Sequence, residues 1–108
     1  MSHIIHEYYY VVGHNDHSSY YKLVIDRETE KMLYGDAYNK NGIAYGRVAI
    51  KKSALNKAHE VADRKYGLVL RVMVADDIEE NAYKRAREIA YEYLKDITEK
   101  FLLYEREN

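Results

Sequence analysis

SALNKAHEVADRKYG (Ser53–Gly67) and the LVLRVMVA that follows it (Leu68–Ala75) decide how this chain folds. In the first stretch Ser53 stands where an N-cap belongs, Leu55, Ala58, Val61 and Ala62 recur at helical spacing, and Gly67 follows Tyr66 as a C′ glycine would. The spacing predicts a helix of about three to four turns. The second stretch is a nearly continuous apolar run closed by Asp76, the pattern of a strand buried on both faces. A helix leading into such a strand makes a crossover, which should be right-handed.

Upstream, Ile4 to Val12 is almost wholly β-branched or aromatic, and Tyr20 to Asp26 alternates Tyr21, Leu23 and Ile25 with Tyr20, Lys22, Val24 and Asp26. Both read as strands, joined by the polar loop GHNDHSS from Gly13 to Ser19. DRETEK, from Asp26 to Lys31, suits a hairpin turn capped by Asp26, with Met32, Leu33 and Tyr34 resuming the β pattern. Asn39 to Gly42 makes a second turn, and Ile43 to Ile50 a fourth strand, with Gly35 and Gly46 as bulge or close-approach positions.

Downstream, Asp76 and Glu79 have the spacing of a capping box, and Asp77 and Glu80 add negative charge where a helix dipole is positive. Ile78, Ala82, Ala86, Ile89, Ala90, Tyr93, Ile97, Phe101 and Tyr104 keep one apolar stripe. A helix to Tyr104 spans roughly 42 Å, longer than a domain of this size is wide. Its end then frays after Lys100, or Phe101, Leu102, Leu103 and Tyr104 pack on another partner or on a second copy, the latter making a homodimer through the C-terminal helix. The order is β-β-β-β-α-β-α. This predicts an α+β fold: one two-layer domain over residues 1–108, with a mainly antiparallel sheet of about five strands and a short and a long helix packed on one face.

The 108 residues include 17 Lys plus Arg, 18 Asp plus Glu, 13 Tyr and no Cys, Pro or Trp. That suits one core and excludes a disulfide framework, a thiolate metal site and a cysteine nucleophile. MSHIIHEYYYVV lacks the basic flank and apolar run of a signal peptide, and no window approaches the roughly 20 apolar residues of a membrane span, so a cytoplasmic location without a membrane partner is expected.

The formal net charge of −1 hides an uneven distribution. Residues 1–46 sum to −2, residues 47–75 to +5 and residues 76–108 to −4. Arg47, Lys51 and Lys52 precede the predicted helix start at Ser53, and together with its backbone N–H groups form a candidate anion site. Asp76, Asp77, Glu79, Glu80, Glu88, Glu92, Asp96 and Glu99 give the last helix an acidic face, either solvated or presented to a basic partner.

Catalytic patterns are sparse. His14, Asp16 and His17 share a loop near His3 and His6, a ligand set that would suit zinc or nickel but has no metal-site spacing, and no metal or other cofactor is assigned. Ser18 and Ser19 beside them form no triad. His59 and Asp63 stand four apart on the predicted helix, where ordinary pairing explains them. The glycines have neither GxGxxG nor GxxxxGK[ST] spacing, so nucleotide hydrolysis has no support. The remaining anomaly is tyrosine. Tyr8, Tyr9 and Tyr10 are consecutive and must alternate between faces, so at least one of them, and one of Tyr20 and Tyr21, should lie away from the helices and serve as contact area.

These features point to a non-enzymatic protein-binding module. Its general character, with a bias to Lys, Tyr, Ile and Asn, is that of small phage or mobile-element inhibitors acting in the host cytoplasm on a nucleic-acid-handling protein such as a defence nuclease, in the manner of anti-restriction or anti-CRISPR proteins. Nucleic-acid binding through the basic block, Arg47 to Arg71, is the second reading, weakened by a pI near 6.5. A small metal-dependent hydrolase built on the His-rich loop is the third.

Overall fold

The computed structural model describes residues 3–14 and 16–107, with side chains through Glu99. Among these residues are six strands and one α-helix: β1 (Ile4–Val11), β2 (Ser19–Glu28), β3 (Met32–Asn39), β4 (Ala44–Lys51), β5 (Ala58–Asp63), β6 (Gly67–Ala75) and α1 (Glu79–Glu107). The strands form one sheet in the order β4-β3-β2-β1-β6-β5, and every neighbouring pair is antiparallel. The α+β class holds, with six strands in place of five and one α-helix in place of two.

The difference lies in Ser53–Gly67. Only Lys52–Ala54 is helical there, as a single 3-10 turn, and Asn56 at φ 60° would interrupt any α-helix through this stretch. Ala58–Asp63 extends instead and pairs antiparallel with β6 as a hairpin, so among the described residues there is no parallel crossover. The turn explains why. Asp63 Oδ1 accepts the backbone N–H groups of Lys65 and Tyr66 at 2.8 and 2.9 Å, and Gly67 follows at φ +79°. A left-handed glycine serves a helix C′ position and a hairpin equally well, and here it serves the hairpin. His59 and Asp63 thus do not face each other across a helical turn: Asp63 holds the turn, and His59 Nε2 lies 3.0 Å from the Ala54 carbonyl oxygen. The β2–β3 turn is also displaced. Asp26 lies within β2, and Thr29 makes the turn by exchanging bonds with Met32.

The connection from β4 to β5 curls the sheet. These strands are opposite edges, about 24 Å apart across five flat strand spacings. Residues 52–57 join them while including a 3-10 turn and a bond from Asn56 N–H to the Met73 carbonyl, so the connection is far from extended. The edges must approach. On the concave face Ile5, Leu23, Leu33, Ala37, Ile50 and Met73 form a buried cluster, and Ala54 and Leu55 of the connection close one end of it. Gly35 permits the bend: a Cβ there would stand 2.0 Å from the Val24 carbonyl oxygen, beside the register shift between Ile25 and Arg27.

Helix α1 covers the other face. Ala82, Ala86 and Ala90 are buried against Tyr8, Tyr10, Leu70, Val72 and Val74, and their small size lets the helix approach the sheet closely. The capping-box reading requires adjustment. Ile78 supplies the carbonyl for the first helical bond, from Ala82 N–H, while Asp76 Oδ1 accepts from Ile78 N–H at 2.8 Å. Asp77 turns away to accept the backbone N–H groups of His3 and Ile4. These two acids therefore stitch the start of β1 to the start of α1. The expectation that Phe101 to Tyr104 pack on a second copy falls on side chains outside those described.

Candidate functional site

Strand β1 sorts its residues by parity. His6, Tyr8 and Tyr10 point toward α1, whereas Glu7 and Tyr9 point into the concave face. On the helix side Tyr8 is 2% exposed and Tyr10 is buried beside it, so of the three consecutive tyrosines Tyr9 is the one that lies away from the helix, and Tyr8 and Tyr10 are not free contact area. They form the floor of an aromatic cluster. His17 packs against Tyr8, Tyr10, Tyr20 and Tyr83 at ring separations of 5.0, 6.1, 6.4 and 5.8 Å.

Asp16 fastens this cluster to the helix. Its Oδ1 accepts the His17 backbone N–H at 2.8 Å, and its Oδ2 accepts the Tyr83 hydroxyl at 3.1 Å. Desolvation pushes this carboxyl up, but the His17 backbone N–H, the Tyr83 hydroxyl and the His17 ring outweigh it and hold it below its usual range. His6 has the opposite problem. It is buried, and Nε2 lies 2.9 Å from the Asp76 carbonyl, which can only accept, so Nε2 carries the proton. In the neutral ring Nδ1 then accepts the Tyr20 hydroxyl at 2.6 Å. Burial holds the His6 pKa below its ordinary value, and pushes Tyr20 up to about 12.

Above this floor lies an open cleft of about 870 Å³ between the β1–β2 loop, the β3–β4 turn and the start of α1. Tyr20, Tyr21, Tyr83 and His17 line it together with Lys40, Glu79 and Glu80. The cleft thus unites Glu79 and Glu80 of the expected acidic face with Tyr20 and Tyr21 of the expected aromatic set. Its walls depend on local turn chemistry: Asn39 Oδ1 accepts the N–H groups of Asn41 and Ile43, and Gly42 at φ +80° closes that turn.

The other expected residues are dispersed. Glu88, Glu92, Asp96 and Glu99 are exposed farther along α1, where Arg85 pairs with Glu88 and Lys84 with Glu80, so positive groups interleave with the acids. Asp76 and Asp77 are engaged at the helix start. Arg47 forks onto Asp26 and also meets Asp36 at 3.3 Å, Lys52 pairs with Glu28, and Lys51 and Ser53 are exposed. The α-helix N-terminus on which an anion site at Arg47, Lys51, Lys52 and Ser53 rested is absent; a three-residue 3-10 turn stands there. Among the described residues no group of three His, Cys, Asp or Glu could hold a metal ion: His6 is enclosed, His17 packs on tyrosines and His14 is exposed.

A second hollow occupies the concave face. Glu7, Tyr9, Tyr21, Tyr45, Val48, Asp63 and Arg71 are among the residues around its volume of about 440 Å³. Tyr45 and Val48 belong to one sheet edge and Asp63 to the other, which the curl brings together. Glu7 Oε2 stands 4.0 Å from Arg71 Nε, and that nitrogen is buried without a hydrogen-bond partner among the described residues. Burial pushes the Glu7 carboxyl up, against the pull of Arg71 and of the Tyr9 hydroxyl; burial and Glu7 push Tyr9 up to about 12.

Reading the sequence missed Tyr83, His17 as an aromatic packing partner, Tyr45 and Glu7. Glu7 was the visible one, a single carboxylate in an aromatic strand and on the same side as Tyr9. Among the described residues no helix is long and apolar enough to cross a membrane. No family model, no curated protein and no solved structure matches this chain.

Proposed function

We propose that the protein is a non-enzymatic protein-binding module whose working surface is the cleft between the β1–β2 loop, the β3–β4 turn and α1. The observation that supports this reading is the meeting of Glu79 and Glu80 with Tyr20, Tyr21 and Tyr83 around one open space. Phenol rings beside carboxylates suit an arginine or lysine side chain, since a cation over a tyrosine face gains about 0.5–2 kcal/mol and the carboxylate supplies a charged acceptor. The partner is then a protein with basic surface. A host nucleic-acid-handling protein, such as a defence nuclease, has that chemistry, and occupying its basic surface is the action of a phage or mobile-element inhibitor, anti-CRISPR proteins included.

The test is affinity capture from the native host followed by sizing chromatography of the complex, repeated with the exposed pair changed as Glu79→Lys with Glu80→Lys, and separately with Tyr21→Ala. A stable complex that the charge reversal weakens by at least about tenfold, 1.4 kcal/mol, supports the reading. Wild-type affinity in both variants overturns it. Titration with single- and double-stranded nucleic acid at low and moderate salt separates the alternative, because a phosphate-binding surface loses affinity steeply as salt rises.

A further inference from the structure

The hollow in the concave face meets the cleft beside α1 only at Ser19 and Tyr21, and its chemistry is different. We propose that it binds the base of a free guanine nucleoside. Three features of the hollow carry the inference: its size, its aromatic walls and the unsaturated ion pair at its base.

Its volume of about 440 Å³ lies within the range of small-molecule sites, roughly 300–1,000 Å³. It also shares Glu7, Val48 and Arg71 with an inner hollow of about 260 Å³. Tyr21 packs edge-on against Tyr9 and tilted against Tyr45, at ring separations of 5.9 and 5.1 Å, so the three rings give the hollow one continuous aromatic wall on which a flat ligand can lie. Stacking of this kind selects planar ligands and tolerates any base.

Selection among bases falls to Glu7 and Arg71. Tyr9 and Arg71 are directly opposed across β1 and β6, and Glu7 lies two residues along the same face. A separation of 4.0 Å is beyond hydrogen-bond reach, so although the Tyr9 hydroxyl touches both groups, the guanidinium and the carboxylate stand side by side with bonding capacity left over. Guanine fits that arrangement: its O6 and N7 accept from a guanidinium, while its N1–H and N2–H₂ donate to a carboxylate on the adjoining edge. Adenine has no second donor beside the first and offers Arg71 only one acceptor next to its amino group. Asp63 lines the same hollow, and with Glu7 it places two carboxylates against one guanidinium. That balance favours the hydroxyls of a sugar over a phosphate, and so a nucleoside over a nucleotide or a nucleic acid strand.

The experiment is calorimetric titration of the full chain with guanosine, adenosine, guanosine 5′-monophosphate and a short guanine-rich single strand. Saturable one-to-one binding of guanosine is expected, with adenosine weaker by at least about tenfold. The two phosphate-bearing probes should also bind more weakly than guanosine. Arg71→Gln and Glu7→Gln should each weaken guanosine by at least about fivefold. Tyr45→Ala, at a rim residue 72% exposed and so not needed for folding, should weaken it several-fold and decides the matter if the other variants do not fold. No saturation at millimolar guanosine, equal binding of adenosine, tighter binding of either phosphate-bearing probe, or unchanged affinity in a folded variant overturns the proposal.

Discussion

The two faces of β1 differ by one residue in phase and by most of their physics. His6, Tyr8 and Tyr10 face the helix, where these three rings are buried and most polar atoms around them are matched: His6 by Tyr20 and Asp76, Asp16 by Tyr83 and His17. Glu7 and Tyr9 face the hollow, where an ion pair stays open at 4.0 Å and the rings border empty volume. Over residues 6–10 of β1, one side therefore behaves as core and the other borders an incompletely filled concavity. A strand can carry both because its side-chain period is two, and because sheet curvature leaves space on the inner face that a helix removes on the outer.

The curvature itself is the most breakable part of this contrast. Gly35→Val is expected to prevent a native transition in chemical denaturation, because its Cβ would meet the Val24 carbonyl oxygen at 2.0 Å and the backbone of the next residue at 2.9 Å. Native-like stability in that variant would show that the inner face is not held by close strand approach. Next in size is the paired comparison of Tyr8→Ala and Tyr9→Ala. The first removes an enclosed ring and should cost about 3–5 kcal/mol. The second removes a ring that already borders a hollow, and should cost less than half as much by the same measurement.

How much of this could be read beforehand follows the range of the interactions. Period-two alternation and local turns were legible, so strands β1 to β4, β6 and the long helix emerged near their places. Ser53–Gly67 was misread because Ala58, Val61 and Ala62 satisfy a helical spacing, while its deciding features are the Asx turn at Asp63 and the positive φ of Asn56. Asp63-Arg-Lys-Tyr-Gly67 did contain a hairpin signal, an Asx residue followed by a left-handed glycine. The cleft was legible in its parts, Glu79, Glu80, Tyr20 and Tyr21, but not as a unit, since only the sheet order places β2 beside the start of α1. Arg71 was visible as one charge in an apolar strand; that its partner is Glu7 depends on the β1–β6 register.

A smaller effect tests the matched side through pH. In the unfolded chain His6 takes up its proton near its ordinary value of 6.5, whereas in the folded chain burial holds its pKa lower. Between those values the unfolded state binds more protons, so stability rises with pH through that window. The contribution is complete above 6.5 and is lost as pH falls toward the folded value. Glu79 and Asp76 nearby favour the charged ring and Lys22 opposes it, without reversing the direction. His6→Gln keeps a donor and an acceptor but does not titrate here. Thermal unfolding from pH 7.5 to pH 5 should show the wild type losing stability more steeply than this variant, and parallel curves would contradict the buried neutral imidazole.

The smallest expected effect singles out the one flaw on the matched side. Tyr10 Oη is buried and has no hydrogen-bond partner among the described residues, whereas Tyr20 Oη donates to His6. Removing a hydroxyl should therefore act in opposite directions at two rings of one cluster. Tyr20→Phe leaves His6 Nδ1 without its donor and should cost about 1–3 kcal/mol, the penalty of an unsatisfied buried group. Tyr10→Phe removes such a group while keeping the ring, and should be neutral or stabilise by up to about 1 kcal/mol. Denaturant midpoints for the two variants measure the difference directly. If Tyr10→Phe is as costly as Tyr20→Phe, the Tyr10 hydroxyl has a partner, and the helix-covered face is more completely satisfied than its geometry indicates.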